Sequence, residues 1–513
     1  MKHLLRPPQE HAVQRIMSEP TKAALLASDM GQGKTSIAAE FLHRMDFHRV
    51  LIIGVKDTYA HWEHRLAAQS GGAIHLRRMD ATKQGRQHFE AFLAGTPGHY
   101  FSGSQYLAAQ DWQHSGVVNS NGTKVWKTDK VGAVVVRPGV EIGPRAVPVQ
   151  ETERRHLKTY SSMNPLDAII VDEVHVFSNR DAIGLRTLKT IESVWRVGMS
   201  GTPYGNKFVG MWAITRWLWP DEIPRSFWVW SNEWCSTESY AAEDGRTVDN
   251  LTGERIPGTF VASLPCYIRS EAVMKPPPAR IVYVDLLAQQ RADYDSLEEE
   301  MLVWLQSHQG RAPLVAQTPI TLRARLRTAT LGVMSLDTNG EIFFGLDTQS
   351  TKLIELFKLL HLYGDQPVAI YTDSKRFAKV TAARLQAAGY NAAEWSGDVS
   401  SKQRDEIKQG FLDRKIQYLV AVIPAFSTGL DGFQTVCNKI VWLSESENHI
   451  LNNQALARFF RPGRQGNFEH VKILARDTHD EGIYSRKIME TLLMSATLRA
   501  GPRHRLGDGV MTQ

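Results

Sequence analysis

Two separate stretches of this chain alternate short, unbroken apolar runs with amphipathic segments, and that alternation leaves few folds open. The first series has its runs at residues 23–27, 50–54, 168–171 and 197–200, the second at 368–371, 417–422 and 439–443. Val, Ile and Leu without polar alternation suit strands covered on both faces, as in a parallel sheet flanked by helices. The expected fold class is therefore α/β, in two units. A length of 513 residues, at roughly 150 residues per domain, predicts two to four domains. The chain is 42% hydrophobic with 13 Trp, 14 Tyr and 19 Phe, enough to fill sizeable cores and too much for a mostly disordered protein.

No apolar run approaches the ~20 residues that span a bilayer, and the start, Met1-Lys2-His3-Leu4-Leu5-Arg6-Pro7-Pro8, has no long apolar stretch of the signal-peptide kind. A soluble, intracellular protein with no membrane partner is the expectation. The three cysteines, Cys235, Cys266 and Cys437, are far apart, which argues against a disulfide framework or a zinc ribbon. Sixty basic against 54 acidic residues leave +6. That excess permits a nucleic-acid partner without requiring one.

Between the two series, residues from about 208 to 348 are rich in Trp, charge and helix formers. Six of the 13 tryptophans fall from Trp212 to Trp234, and Lys275-Pro276-Pro277-Pro278 makes a stiff break. A helical subdomain core is the plain reading; an aromatic surface that stacks bases is the other. Residues 111–162 interrupt the first series and read as a β-rich insertion, with an Asn121-Gly122 hairpin turn signal.

Four motifs carry chemistry. Ser28-Asp29-Met30-Gly31-Gln32-Gly33-Lys34-Thr35 follows an apolar strand and precedes a helical pattern, the context of a phosphate loop. Its glycines let backbone N–H groups approach phosphate oxygens, Lys34 supplies charge, and Thr35 supplies a hydroxyl for Mg²⁺. Ser28 stands where the strict pattern has glycine. Next, Asp172-Glu173-Val174-His175 ends an apolar strand; one carboxylate can hold Mg²⁺ while the other orients a water. Met199-Ser200-Gly201-Thr202-Pro203 again follows a strand, where an ordinary Gly-Pro turn is the competing reading. Last, in Gln454-Ala455-Leu456-Ala457-Arg458-Phe459-Phe460-Arg461 the arginines are three apart. A helix would place both on one face, able to neutralise charge on a phosphoryl group.

In this order the motifs resemble helicase superfamily two, and within it the Swi/Snf family of DNA translocases, over nearly the whole chain. Leu5-Arg6-Pro7-Pro8-Gln9 is similar to the family's adenine-reading entry, and Trp62-Glu63 after the second strand to its next motif. Asp29-Met30-Gly31-Gln32-Gly33-Lys34-Thr35 is similar to D/E-M-G-L-G-K-T, and Asp172-Glu173-Val174-His175 to D-E-A-H. Residues 199–206 through Trp219-Pro220 are similar to L-T-G-T-P-x-x-N and its helix. In the second half, Ser350-Thr351-Lys352-Leu353 matches S-x-K-L, Thr428-Gly429-Leu430-Asp431-Gly432-Phe433-Gln434 resembles G-x-G-L-N-L-Q, and Gln454, Arg458 and Arg461 fit Q-x-x-x-R-x-x-R.

The resemblance implies two RecA-like lobes with a helical insertion between them: lobe 1 over 1–222, a helical protrusion and linker over 223–347, lobe 2 over 348–497, and a basic tail over 498–513. It implies ATP and Mg²⁺, with Arg6, Gln9, Met30, Gly31, Gln32, Gly33, Lys34, Thr35 and Ser36 holding the nucleotide. Thr35 and Asp172 would hold the metal and Glu173 would position water. Gln454, Arg458 and Arg461 would act from the second lobe, while Ser200, Thr202, Thr428, Gly429 and Asp431 would couple hydrolysis to DNA. Double-stranded DNA, held mainly by its phosphates, is the implied partner, with room for an unidentified protein partner. A compact bacterial or phage motor, cytoplasmic and nucleoid-associated, is the implied setting. A strand-separating DNA or RNA helicase and a nonenzymatic ATP-gated DNA clamp are the rival readings.

Overall fold

The computed structural model describes residues 4–29, 31–111, 117–118, 126–128, 134–136, 147–148, 164–205, 207–241, 247–271, 275–307, 310–426, 432–461, 463–464 and 466–485. The chain divides into two compact units, residues 1–27 with 34–253 and residues 28–33 with 254–513.

In the first unit, strands β1 (Ala23–Leu26), β2 (Arg49–Gly54), β3 (Leu76–Met79), β4 (Gly98–Gly103), β5 (Leu166–Asp172) and β6 (Ser193–Met199) lie in the order β1-β6-β5-β2-β4-β3. Every neighbouring pair among them is parallel. All residues of β1 and β2 are buried, as the absence of polar alternation required. The helices of this unit include α1 (Pro7–Met17), α2 (Lys34–Met45), α3 (Tyr59–Ser70), α4 (Lys83–Leu93), α5 (Ser104–Asp111), α6 (Ile183–Thr190) and α7 (Gly210–Leu218). Proline opens α1, where its missing N–H costs nothing. Glu10 on α1 accepts from both terminal guanidinium nitrogens of Arg44 on α2 at 2.6 Å.

The insertion is β-rich where it is described, with a pairing different from the one its turn signal suggested. Val117–Val118 pairs with Val147–Pro148, and Trp126–Thr128 with Val134–Val136. The β-branched run Val134-Val135-Val136 supplies the partner strand; Asn121-Gly122 lies outside the described residues.

After α7 come α8 (Phe227–Trp234) and the ribbon Cys235–Ala241 with Thr247–Glu254. Three of the six clustered tryptophans are core: Trp217 is 3%, Trp219 2% and Trp230 0% exposed.

The second unit contains β7 (Arg280–Val284), α9 (Ala288–Glu300), β8 (Leu302–Ser307), β9 (Gly310–Val315), α10 (Pro319–Ala329), α11 (Thr351–Tyr363), β10 (Val368–Thr372), α12 (Lys375–Ala387), β11 (Ala392–Trp395), α13 (Ser401–Leu412), β12 (Tyr418–Val422), β13 (Lys439–Trp442), α14 (His449–Leu456) and β14 (Glu469–Ala475). Its parallel sheet has the order β7-β14-β13-β10-β12-β11. Two parallel sheets flanked by helices are the two RecA-like lobes that the motif order implied. The connecting region adds β-structure that its helix-former composition did not indicate: β8 and β9 form an antiparallel hairpin. Tyr294, Leu297, Val303, Leu305 and Leu326 of this region share one core with Leu353 and Leu356 of α11.

Candidate nucleotide site

In the first unit the chemistry sits at one end of three adjacent strands. Leu26 is in register with Met199, and Met199 with Asp172. Because β1, β6 and β5 are parallel neighbours, the loops after them all leave at the same sheet edge, the place where open α/β sheets bind ligands. The Ser200 N–H donates to the Leu26 carbonyl at 3.0 Å. Thus Lys34 at the start of α2, the Asp172-Glu173 pair after β5 and Ser200 after β6, which the sequence could only place in order, are brought together within the first unit.

The loop after β1 enters α2 at Lys34. Gly31 and Gly33 have φ of +77° and +79°, conformations that side chains with a Cβ rarely adopt. Nothing lies within 4 Å of a Cβ built at Gly31, so glycine there serves the turn. Lys34, Thr35 and Ser36 form the first turn of α2, and the dipole of a helix N-terminus favours an anion. Met30 lies outside the described residues. Sequence reasoning missed the loop's anchor. Asp29 N–H donates to the Ser270 carbonyl at 2.9 Å, Ser270 N–H donates to Ser28 Oγ at 3.1 Å, and Arg269 pairs with Asp29 at 3.2 Å. Ser28 therefore has a use for the hydroxyl that replaces the first glycine.

Asp172 accepts from the Trp62 indole N–H at 3.0 Å on one oxygen and from the Glu173 N–H at 3.0 Å on the other. Burial raises its pKa above the usual carboxylate range and the Glu173 charge adds to this; Trp62 and Lys34 oppose it. Glu173 has φ +49° and ψ +52°, rare for a residue with a side chain. That turn sends its carboxylate toward β6. Oε2 lies 3.2 Å from His175 Nδ1 and accepts from Ser200 Oγ at 3.3 Å. His175 Nδ1 lies 3.0 Å from Ser200 Oγ, which also accepts from the Thr202 N–H at 3.1 Å. Ser200 and Thr202 are thereby tied to the acidic pair.

The donor set suits Mg²⁺: Thr35 and Asp172 offer hard oxygens, and a half-buried carboxylate beside a second one favours a nearby cation. A metal that takes its remaining ligands from phosphate and water needs no closed cage of side chains.

Gln9 is buried at 5% exposure, and its Oε1 accepts from the Arg6 N–H at 2.9 Å, capping the start of α1. In the second unit, Gln454 is buried on α14, but Arg458 and Arg461 do not share a helix face as their spacing suggested. The helix ends at Leu456 and both arginines follow it in a turn, in which the Phe460 N–H donates to the Leu456 carbonyl at 3.0 Å. Arg461 precedes Pro462 and then Gly463 at φ +91°, and a residue before proline disfavours the helical region. Phe459 between them is fully buried, stacked on Phe426 at 5.8 Å, which fixes the turn. Arg461 Nε donates to the Ala457 carbonyl at 2.8 Å. Thr428, Gly429 and Asp431 lie outside the described residues.

Another interaction of this unit was present in the sequence only as a motif. Lys352, fully buried, donates to Asp480 at 2.6 Å, to the Leu443 carbonyl at 2.8 Å and to Thr330 at 3.2 Å.

Residues 9–330 match the family model of the SNF2-related domain. Chromodomain-helicase-DNA-binding protein 1-like of Danio rerio is 20% identical over 364 residues, 68% of this chain and 33% of that protein. Protein CHROMATIN REMODELING 24 of Arabidopsis thaliana is 22% identical over 533 residues, 94% of this chain and 45% of that protein. The chain thus spans between a third and a half of these relatives' lengths. Among solved structures, the Sulfolobus solfataricus SWI2/SNF2 ATPase core in complex with dsDNA is 16% identical, covering 97% of this chain and 95% of that one at a TM-score of 0.37.

Proposed function

The chain belongs to the SNF2-related domain family, and on that premise we propose that it is an ATPase of helicase superfamily two, stimulated by DNA, that moves along double-stranded DNA. The observation that carries this reading is the cluster of Glu173, His175 and Ser200 across the ends of β5 and β6. A mere nucleotide-binding clamp has no use for a carboxylate held in a costly backbone conformation beside a second carboxylate.

In this reading Gly31, Gln32, Gly33 and the first turn of α2 receive the phosphates of ATP, and Lys34 offsets their charge. Thr35 and Asp172 would hold Mg²⁺, which would supply charge to polarise the phosphoryl oxygens. Glu173 accepts a hydrogen bond from the attacking water and takes its proton. Ser200 and Thr202 are tied to Glu173 and so would couple hydrolysis to DNA. Arg458 and Arg461, with Gln454, supply guanidinium charge and orientation to the transferring phosphoryl group. Arg6 and Gln9 meet the nucleotide base. DNA is gripped through its phosphates, without regard to sequence.

The test is the ATPase rate with double-stranded DNA, single-stranded DNA, RNA and no nucleic acid. The reading expects the largest stimulation from the duplex, no strand displacement on forked or blunt duplexes, and loss of turnover in Lys34→Ala. Equal or greater stimulation by RNA, or strand displacement, would move the chain to a strand-separating helicase; no turnover with any of them would make it a clamp.

A further inference from the structure

Four cations converge on a cavity of about 420 Å³ in the first unit, away from the residues assigned to ATP. Lys189, Arg196, Arg216 and Arg225 line it together with Trp212 and Trp217, and among the described residues no carboxylate does. Three parts of the wall are fixed. Arg196 donates to the Trp217 carbonyl at 3.1 Å, Arg216 to the Ile223 carbonyl at 2.9 Å, and the Trp212 indole N–H to the Pro224 carbonyl at 2.9 Å. Lys189 Nζ sits 5.0 Å from the centre of the Trp212 ring. Its pKa is lowered, by burial first and then by Arg216, so the cations repel one another here and an anion would relieve them. Glu192 and Asp221 act on Arg196 without lining the cavity.

The cavity continues into an aromatic shelf. Trp212 meets Phe227 edge to face at 5.5 Å, and Phe227 meets Trp228 at 5.3 Å. Arg180 lies 4.0 Å from the Phe227 ring centre and 5.6 Å from that of Trp228. Trp228 is 63% exposed while Trp230, two positions along α8, is 0% exposed. Two helical positions are roughly 200° apart, so burying Trp230 presents Trp228 to solvent. A large exposed ring beside a cationic hollow is the arrangement that holds unpaired nucleic acid, with backbone phosphates in the hollow and a base on the ring. A duplex, whose bases are stacked inside, offers the ring nothing.

We propose that this cavity and shelf form an accessory site for single-stranded nucleic acid, with phosphates against Lys189, Arg196, Arg216 and Arg225 and a base stacked on Trp228. This site is independent of the ATPase reading, because binding there needs no nucleotide. The experiment is the fluorescence anisotropy of a labelled oligothymidylate of about ten nucleotides, a length within the usual range of such sites, across a salt series without ATP. The chain is compared with Trp228→Ala, Trp228→Phe and the double variant Lys189→Ala/Arg225→Ala. All three act at exposed positions or at a flexible side chain, and an unchanged thermal midpoint checks folding.

Trp228→Ala is expected to weaken binding about tenfold, within the range for loss of one stacked base, with the salt slope unchanged, and Trp228→Phe to restore most of it. The double variant should weaken binding and flatten the slope of log K against log salt by about 1.4, at roughly 0.7 per phosphate contact on a single strand. Parent-like binding by Trp228→Ala overturns the proposal, leaving a site for a small polyanion if the double variant alone is impaired. Equal losses for a duplex probe overturn it too, since they would make the surface part of a general DNA contact.

Discussion

In the proposed ATPase, Glu173 is the residue on which most of the chemistry turns. A left-handed conformation at a residue with a Cβ costs of order 1–3 kcal/mol; here it aims the carboxylate at His175 and Ser200. Glu173→Gln keeps the shape and removes the proton acceptor, so ATP binding should persist while turnover falls by at least about a hundredfold. Equilibrium nucleotide binding alongside single-turnover hydrolysis checks this, and parent-like hydrolysis would mean that another group orients the water. Trp62 is fully buried and holds Asp172 by one hydrogen bond. Groups that orient a metal ligand typically matter 10–100-fold in metal affinity. Trp62→Phe should therefore raise the Mg²⁺ concentration for half-maximal ATPase about tenfold; an unchanged Mg²⁺ titration would show that Asp172 needs no such support. The residue types at the site were legible in the sequence, since each belongs to a local motif. The hydrogen bond from Trp62 to a residue 110 positions away was not, because it exists only once β2 and β5 pair.

At the scale of elements, two short segments of the second unit carry the testable content. Helix α11 is capped by Ser350, whose hydroxyl accepts from the Leu353 N–H, and delivers Lys352 into a dry network with Asp480. Asp480→Ala leaves that ammonium buried without its counter-charge and should cost about 3–5 kcal/mol, whereas Lys352→Met/Asp480→Leu should cost less than the single change. Urea unfolding of the three chains decides it: a double variant as unstable as Asp480→Ala would locate the cost elsewhere. The turn after α14 presents Arg461 beside the buried Phe459. Arg461→Ala should keep most ATP affinity and lower hydrolysis by a factor of about 10³ or more. Arg461→Lys should rescue little, since a planar fork is replaced by a point charge; full activity in both would remove Arg461 from the reaction. The three-residue spacing suggested a helix here, and Pro462 and Gly463 were the signals that outranked it.

For the whole molecule the prediction is electrostatic. A motor that grips phosphates releases counterions when it binds, so the duplex concentration giving half-maximal ATPase should climb steeply with salt. The slope should be about 0.9 per phosphate contact in a log–log plot. A flat response would mean that the duplex is held by contacts other than phosphates. The net charge of +6 gave only permission for such binding. The arrangement of charge is more informative, because Lys189, Arg196, Arg216 and Arg225 meet at one cavity although they are spread over 37 positions of chain.

What the sequence determined by itself was whatever is local or periodic. Unbroken apolar runs specify strands covered on both faces, as β1 and β2 are. Glycines before Lys34 specify a turn that only they adopt readily, and the order of motifs specifies the family. Tertiary structure alone decided which distant residues meet: Ser28 with Ser270, Trp62 with Asp172, Lys352 with Asp480. It also decided that, of two tryptophans two positions apart, one fills a core and the other faces solvent. Such pairings follow from sheet register and helix rotation, which depend on the packing of the whole unit and leave no trace in the spacing of residues along the chain.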